Sequence, residues 1–249
     1  DGLQVSSGGA SGGCGAGRGC AVGARRAIDA GRPVIVADGD VDNPTLARLY
    51  PPTGPYGAPR PVDAELETSR TWLADTLAIA LERDASLIVD MGGGDRIAEQ
   101  LAAESHFGDF LARSGVRCTY TYYTGPERDD FEHGYRFWSS GAFEGGDNIL
   151  FLNAGLARNQ GRSSDPFSWL RDDKRFHEME SSGVVAVSMP ALTCMRHIEE
   201  EGMSVFDALD GLKTPSGRPL NPLWSHMANR WYADFCQSIE EEGAGKWLA

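Results

Sequence analysis

The residues with most chemistry to offer are carboxylates that close short apolar runs, and a glycine-rich stretch near the start of the chain. Asp38 and Asp40 follow Val34-Ile35-Val36-Ala37, and Asp90 follows Leu87-Ile88-Val89. Asp42 and Asp95 stand close behind them. Carboxylates gathered in one place raise one another's pKa or recruit a cation. The glycine-rich stretch, Ser11-Gly12-Gly13-Cys14-Gly15-Ala16-Gly17, follows the apolar run Leu3-Gln4-Val5. Glycines let successive backbone N–H groups turn inward around an anion, and a helix start behind them adds partial positive charge. No starting point in this stretch gives the G-x-G-x-x-G spacing of a dinucleotide fingerprint. The bland alternative is that residues 8–23 are merely flexible and low in complexity.

Both features need elements to position them, and the patterning supplies these. Short, mostly β-branched runs flanked by Gly, Asp or Pro predict buried strands at 3–5, 34–37, 87–89, 116–123, 149–152 and 184–187. Helical spacing predicts helices over 64–83, 96–114, 129–138, 192–201 and 224–242, the first with Leu66, Trp72, Leu73 and Leu77 on a broad apolar face. The helix after the glycine-rich stretch is poor in sequence. Gly19 and Gly23 lie inside it, each costing about 1 kcal/mol relative to alanine, so it is expected to order only with a ligand or partner. Strand–helix alternation at this pitch predicts an α/β fold, a mainly parallel sheet with helices on both faces. Ligands of such sheets sit beyond the carboxyl ends of the strands. The glycine-rich stretch, residues 38–43, 90–95, 124–128 and 153–158 all come after predicted strands, so all fall on that rim.

These motifs, in this order, resemble the MinD/ParA branch of P-loop nucleotide-binding proteins. Gly31-Arg32-Pro33-Val34-Ile35-Val36-Ala37-Asp38-Gly39-Asp40, continuing into Val41-Asp42-Asn43-Pro44-Thr45-Leu46, is similar to the family's G-x-x-V-x-x-x-D-x-D strand and the D-x-D-x-x-N-x-x-L run that extends it. Leu87 to Asp95 resembles the Walker B strand with its glycine-containing switch. Ile149-Leu150-Phe151-Leu152-Asn153 resembles the late strand ending in Asn, and the Val184 to Pro190 run resembles the last strand with its proline loop. The run after Asp90, Asn153 and residues 202–209 look nearest to the TraL-like conjugation and plasmid-associated proteins. The resemblance spans residues 3–209.

The resemblance implies ATP and Mg2+ as ligands. It makes Gly12, Gly13, Cys14, Gly15, Ala16 and Gly17 the phosphate loop, Asp38 and Asp90 the metal carboxylates, Asp40 the residue that orients the attacking water, and Asn153 and Pro190 the neighbours of the base. The loop departs from the family's lysine-GG-x-G-lysine-Ser/Thr. Ser11 replaces the signature lysine, Ala16 the phosphate lysine and Gly17 the magnesium-binding hydroxyl. Arg18 is the nearest cation. Phosphoryl transfer rests on those charges, so the expected protein binds nucleotide with impaired hydrolysis. The alternative is a catalytically dead pseudo-ATPase acting as a protein-binding scaffold. Relatives alternate between a monomer and a nucleotide-sandwich dimer, so a protein partner or self-dimer is expected.

Composition narrows the setting. The 249 residues, 41% hydrophobic, suffice for one domain, with residues 51–61 (five prolines) and 159–165 read as mobile loops. A formal charge of −13 disfavours direct nucleic-acid binding. No run approaches the roughly 20 apolar residues of a membrane span, and residues 1–9 lack the basic flank and apolar run of a leader. Five scattered cysteines, without metal spacing, fit a reducing cytoplasm better than a disulfide framework. Glu127, Asp129, Asp130 and Glu132 read as dipole-stabilising acids at a helix start. Trp224, Met227, Trp231, Tyr232 and Phe235 read as a helix packed on the sheet.

Overall fold

The computed structural model describes residues 2–8, 15–91, 100, 110–111, 113–141, 145–157 and 165–248. Gly12, Gly13, Cys14, Asp95, most of the predicted helix 96–114 and all but the last residue of the loop 159–165 lie outside them. Six strands build one sheet: β1 (Gly2–Gly8), β2 (Val34–Asp38), β3 (Ser86–Asp90), β4 (Arg117–Thr124), β5 (Asp147–Asn153) and β6 (Val185–Met189). Their order is β2-β3-β1-β4-β5-β6, and every neighbouring pair is parallel. The layout is the predicted α/β arrangement, with helices on both faces.

The alternation of the strands sorts the core into two layers. Val34, Val36, Ile88, Ile149, Phe151 and Val187 meet α1 (Ala16–Asp29), α2 (Thr45–Leu49) and the later helices of the chain. Leu3, Val5, Ile35, Ala37, Leu87, Val89 and Tyr120 face α3 (Leu66–Glu82), Leu111, α4 (Arg128–Ser139) and α5 (Lys174–Ser181). A strand buried on both faces reads as a continuous apolar run rather than an alternating one, which made β2, β3 and β5 legible, while β4 was legible from its Thr and Tyr residues. The short helices α2, α5 and α7 (Val205–Leu209) were not predicted. Each offers too few turns for a periodic signal. On α7 the start is written in a capping box instead, with Ser204 and Asp207 bonding each other's backbone N–H.

α1 departs from expectation. It is a 14-residue helix with Ala16, Gly17, Gly19, Cys20, Ala21, Val22, Gly23, Ala24 and Ala27 buried. Its glycines serve close approach. A Cβ on Gly19 would lie 2.1 Å from the Tyr123 hydroxyl oxygen, and one on Gly23 would lie 3.1 Å from Gln4 Oε1. The small residues let the helix settle onto β1, β3 and β4, and that burial offsets the poor helix propensity. The proline-rich segment 51–61 lies along the exposed edge of β2. Val36 N–H donates to Tyr56 O and Ala58 N–H to Val36 O, both at 2.8 Å, and Trp72 Nε1 donates to Pro59 O at 2.6 Å. The edge strand is thereby covered.

Two further helices, α6 (Met195–Glu200) and α8 (Pro222–Glu241), complete the α1 side. On α8, Trp231 and Phe235 are buried, while Trp224, Met227 and Tyr232 pack partly buried on the same core, so the aromatic stripe is a packing face. Among the described residues no helix is long and apolar enough to cross a membrane.

Candidate functional site

The first turn of α1 sits at the carboxyl edge of the sheet, between the ends of β3 and β5. Gly15 is its N-cap, no side chain among the described residues caps its first turn, and no acidic residue stands there. An uncapped helix start leaves N–H donors for an outside acceptor. A Cβ on Gly15 would lie 3.3 Å from Asn153 Nδ2 and 3.5 Å from Tyr123 Cβ. A Cβ on Gly17 would lie 3.2 Å from Asp90 Oδ2 and 3.1 Å from Thr45 Cβ. Gly15 therefore lies beside the end of β5 and Gly17 beside the end of β3 and the start of α2, so the first turn of α1 spans that stretch of the rim.

The two acids at the strand ends are neighbours across the sheet, since Asp38 pairs in register with Asp90. Both are buried. Asp38 is engaged by backbone on each oxygen: Oδ1 accepts from Asp40 N–H at 3.0 Å, and Oδ2 from Ala47 N–H at 2.7 Å. It thus caps the first turn of α2. Burial pushes its carboxyl above the usual value, and the two N–H bonds act in the opposite direction. Asp40 turns its carboxylate back on its own loop, where Oδ1 accepts from Asp42 N–H at 3.1 Å and from Asn43 N–H at 2.9 Å. Arg60 Nη2 fixes the same loop by donating to Asp40 O at 2.8 Å and Val41 O at 3.1 Å.

Asn153, buried at the end of β5, accepts from Gly155 N–H at 2.9 Å through Oδ1. Its Nδ2 has no hydrogen-bond partner among the described residues and faces Gly15. Pro190, just beyond β6, accepts the Trp231 indole N–H at 2.8 Å through its carbonyl. It belongs to the wall formed with α8. Arg18, on the first turn of α1, is turned to the side, with Nη2 donating to Glu199 Oε1 of α6 at 2.7 Å. Ala16 is buried and carries no charge to replace the absent lysine.

The residues present can be tested against the two ligands the resemblance implies. For an oligophosphate, the start of α1, without a side-chain cap among the described residues, and the Asn153 amide fit. For magnesium, the family's ligands are missing or engaged. No hydroxyl stands at position 17, Thr45 fills the space beside it, and both Asp38 oxygens already accept backbone N–H groups. Among the described residues no group of three or more His, Cys, Asp or Glu side chains could hold a metal.

Three participants were not singled out from the sequence. Thr45 carried a signal, standing five residues after Asp40. Arg60 and Glu199 carried none, because each acts on a segment distant in sequence.

No protein-family model matches this chain, and no curated protein matches it. Among solved structures it is similar to a chain of the MinC:MinD cell division protein complex of Aquifex aeolicus, at 12% identity and a TM-score of 0.47, over 94% of this chain and 96% of that one. It is also similar to chloroplast FtsY from Physcomitrella patens, at 19% identity and a TM-score of 0.40, over 61% of this chain and 50% of that one.

Proposed function

We propose that this chain is a nucleotide-binding protein of the MinD/ParA type that takes ATP at the start of α1 and hydrolyses it poorly. The observation that carries the reading is the convergence at that helix start: Gly15 beside the Asn153 amide, and Gly17 beside Asp90 and Thr45. On this reading the α1 N–H groups and the glycine-rich loop hold phosphate, and Asn153 and Pro190 lie at the base. Asp40 orients water, and Asp38 and Asp90 form the acidic wall. ATP in this family brings magnesium, which supplies charge neutralisation. Here little in the protein supports that metal, and no lysine balances the phosphates. Slow hydrolysis is the consequence.

A protein partner or a second copy completes the proposal, in a cytoplasmic plasmid-transfer or partition setting that rests on the TraL-like resemblance. Direct nucleic-acid binding is disfavoured by the charge of −13. A second reading, a pseudo-ATPase scaffold, is favoured by a separate observation. The polar groups of the rim are engaged within the protein, Arg18 with Glu199 and Asp38 with two N–H groups.

Calorimetric titration with ATP, with and without magnesium, decides between them. The comparison protein is Ala16→Lys/Gly17→Ser/Thr45→Gly, in which the last change removes the Cβ and Cγ2 that would stand 3.1 and 3.2 Å from the new Cβ at position 17. Micromolar binding by the unmodified chain supports the nucleotide reading. Binding only by the variant favours the scaffold. Silence from both refutes a nucleotide site at α1.

A further inference from the structure

Arg18 and Glu199 are 181 positions apart, yet their ion pair joins the first turn of α1 to α6. The pair is open to solvent, with Arg18 26% and Glu199 54% exposed. Exposed pairs are weak and screened by salt, so this one holds its arginine by a factor of up to about fivefold. A triphosphate carries more charge than a carboxylate and accepts the guanidinium fork in bidentate fashion. Cα–Cβ bonds on a helix tilt toward its N terminus, so an Arg18 released from Glu199 starts out in the direction of the first turn. The helix start is not alone there, because the buried Asn153 presents to it an Nδ2 that is unpartnered among the described residues.

We infer that Glu199 sets the affinity of the anion site at α1, by holding Arg18 in reserve until an oligophosphate draws it away. The inference rests on the nucleotide-binding reading and adds to it the cation that the loop lacks and the group that competes for it. It also links the ligand to the exposed face of α6. Glu199 lies on α6, whose His197 ring stacks on Trp224 of α8 at 4.8 Å and 10°. Release of Glu199 untethers α6 from α1 and alters that stack. By reciprocity, a partner that binds the untethered α6 tightens the anion site.

The test is calorimetry with two probes, sodium tripolyphosphate and ATP, both in EDTA, on the wild type, Glu199→Gln, Arg18→Ala and the double variant. Glu200→Gln serves as a control that removes the same charge one position along. Expected is a two- to fivefold gain in affinity for Glu199→Gln, on the scale of the pair it releases, and a loss of about tenfold for Arg18→Ala. The Glu199→Gln gain disappears in the Arg18→Ala background, and Glu200→Gln is unchanged. Trp224 emission shifts on ATP addition in the wild type and not in Arg18→Ala, with Trp224→Phe identifying the signal. ATP binding that is the same in the wild type and Glu199→Gln overturns the inference and leaves the nucleotide reading standing. A gain that persists without Arg18 also overturns it, since it then reflects bulk charge alone. If no variant binds either probe, the nucleotide reading falls and the inference with it. Thermal melting of each variant separates a lost fold from a lost contact.

Discussion

Replacing Gly19 with alanine tests the seating of α1, on which the whole site depends. In an exposed helix interior the change stabilises by about 1 kcal/mol. Here the new methyl carbon would stand 2.1 Å from the Tyr123 hydroxyl oxygen and 2.2 Å from its Cε1. The ring must retreat by more than an ångström. It has little freedom to do so, being buried and stacked on Phe151 with centroids 4.9 Å apart. Overpacking of this kind costs about 1–3 kcal/mol, with the upper part of the range expected for a ring held on both sides. The net is a loss of about 1–2 kcal/mol. At about 2–4 °C per kcal/mol for a chain of this size, the melting midpoint falls by about 2–8 °C. A double-mutant cycle sharpens the assay. Once Tyr123→Leu removes the ring, Gly19→Ala becomes stabilising by about 1 kcal/mol, a reversal of sign. Gly19→Ala as stable as the wild type would refute the reasoning, because the helix could not then lie over Tyr123 in this register.

Three other outcomes are expected. Gln4 is buried in β1, and neither Oε1 nor Nε2 has a hydrogen-bond partner among the described residues. Gln4→Met should therefore raise stability by about 1 kcal/mol or more in urea unfolding, and a loss would mean that the amide is satisfied. Asp210 receives Arg25 through two N–H groups, at 2.7 and 2.9 Å, which holds its carboxyl below the usual 3.8. A depressed folded pKa gives stability that is present above the usual value and lost as pH falls through the depressed one. The wild type should thus exceed Asp210→Asn by at most about 1 kcal/mol for so exposed a pair at pH 5–7. The gap should narrow as pH falls below 3.8 and close once pH passes the depressed value, and a gap that does not narrow with falling pH contradicts this origin. Burial pushes the Cys118 thiol up to about 12. At pH 8.5 iodoacetamide should reach Cys118 only after unfolding, while half-buried Cys236 reacts in the native protein. Native labelling of both at one rate, read by mass spectrometry, would count against that burial.

The sheet was legible strand by strand. All six predicted strands are present; β2, β3 and β5 wrote their burial on both faces as an apolar run, and β4 showed itself through Thr and Tyr. The carboxylates at strand ends were legible as well, since a strand that stops at Asp marks its own carboxyl edge. Asp38 and Asp90 duly sit side by side there. α1 was legible as a helix but misjudged in strength. Helix propensity counts Gly19 and Gly23 as losses, whereas their value lies in the Tyr123 ring and Gln4 amide that occupy the space. No one-dimensional pattern records that.

The sequence by itself determined the chemistry on offer: which side chains stand at the rim, and that the loop has no lysine and no hydroxyl at position 17. Residue identity and strand order along the chain are enough for both. Only the tertiary structure decided what each side chain is engaged with. Asp38 capping α2, Arg60 holding the Asp40 loop and Arg18 reaching Glu199 are pairings across 9, 20 and 181 positions. A charge announces itself in sequence, but its partner is whichever polar group the packed elements bring within about 3 Å, and that is set by how the helices and loops seat on the sheet.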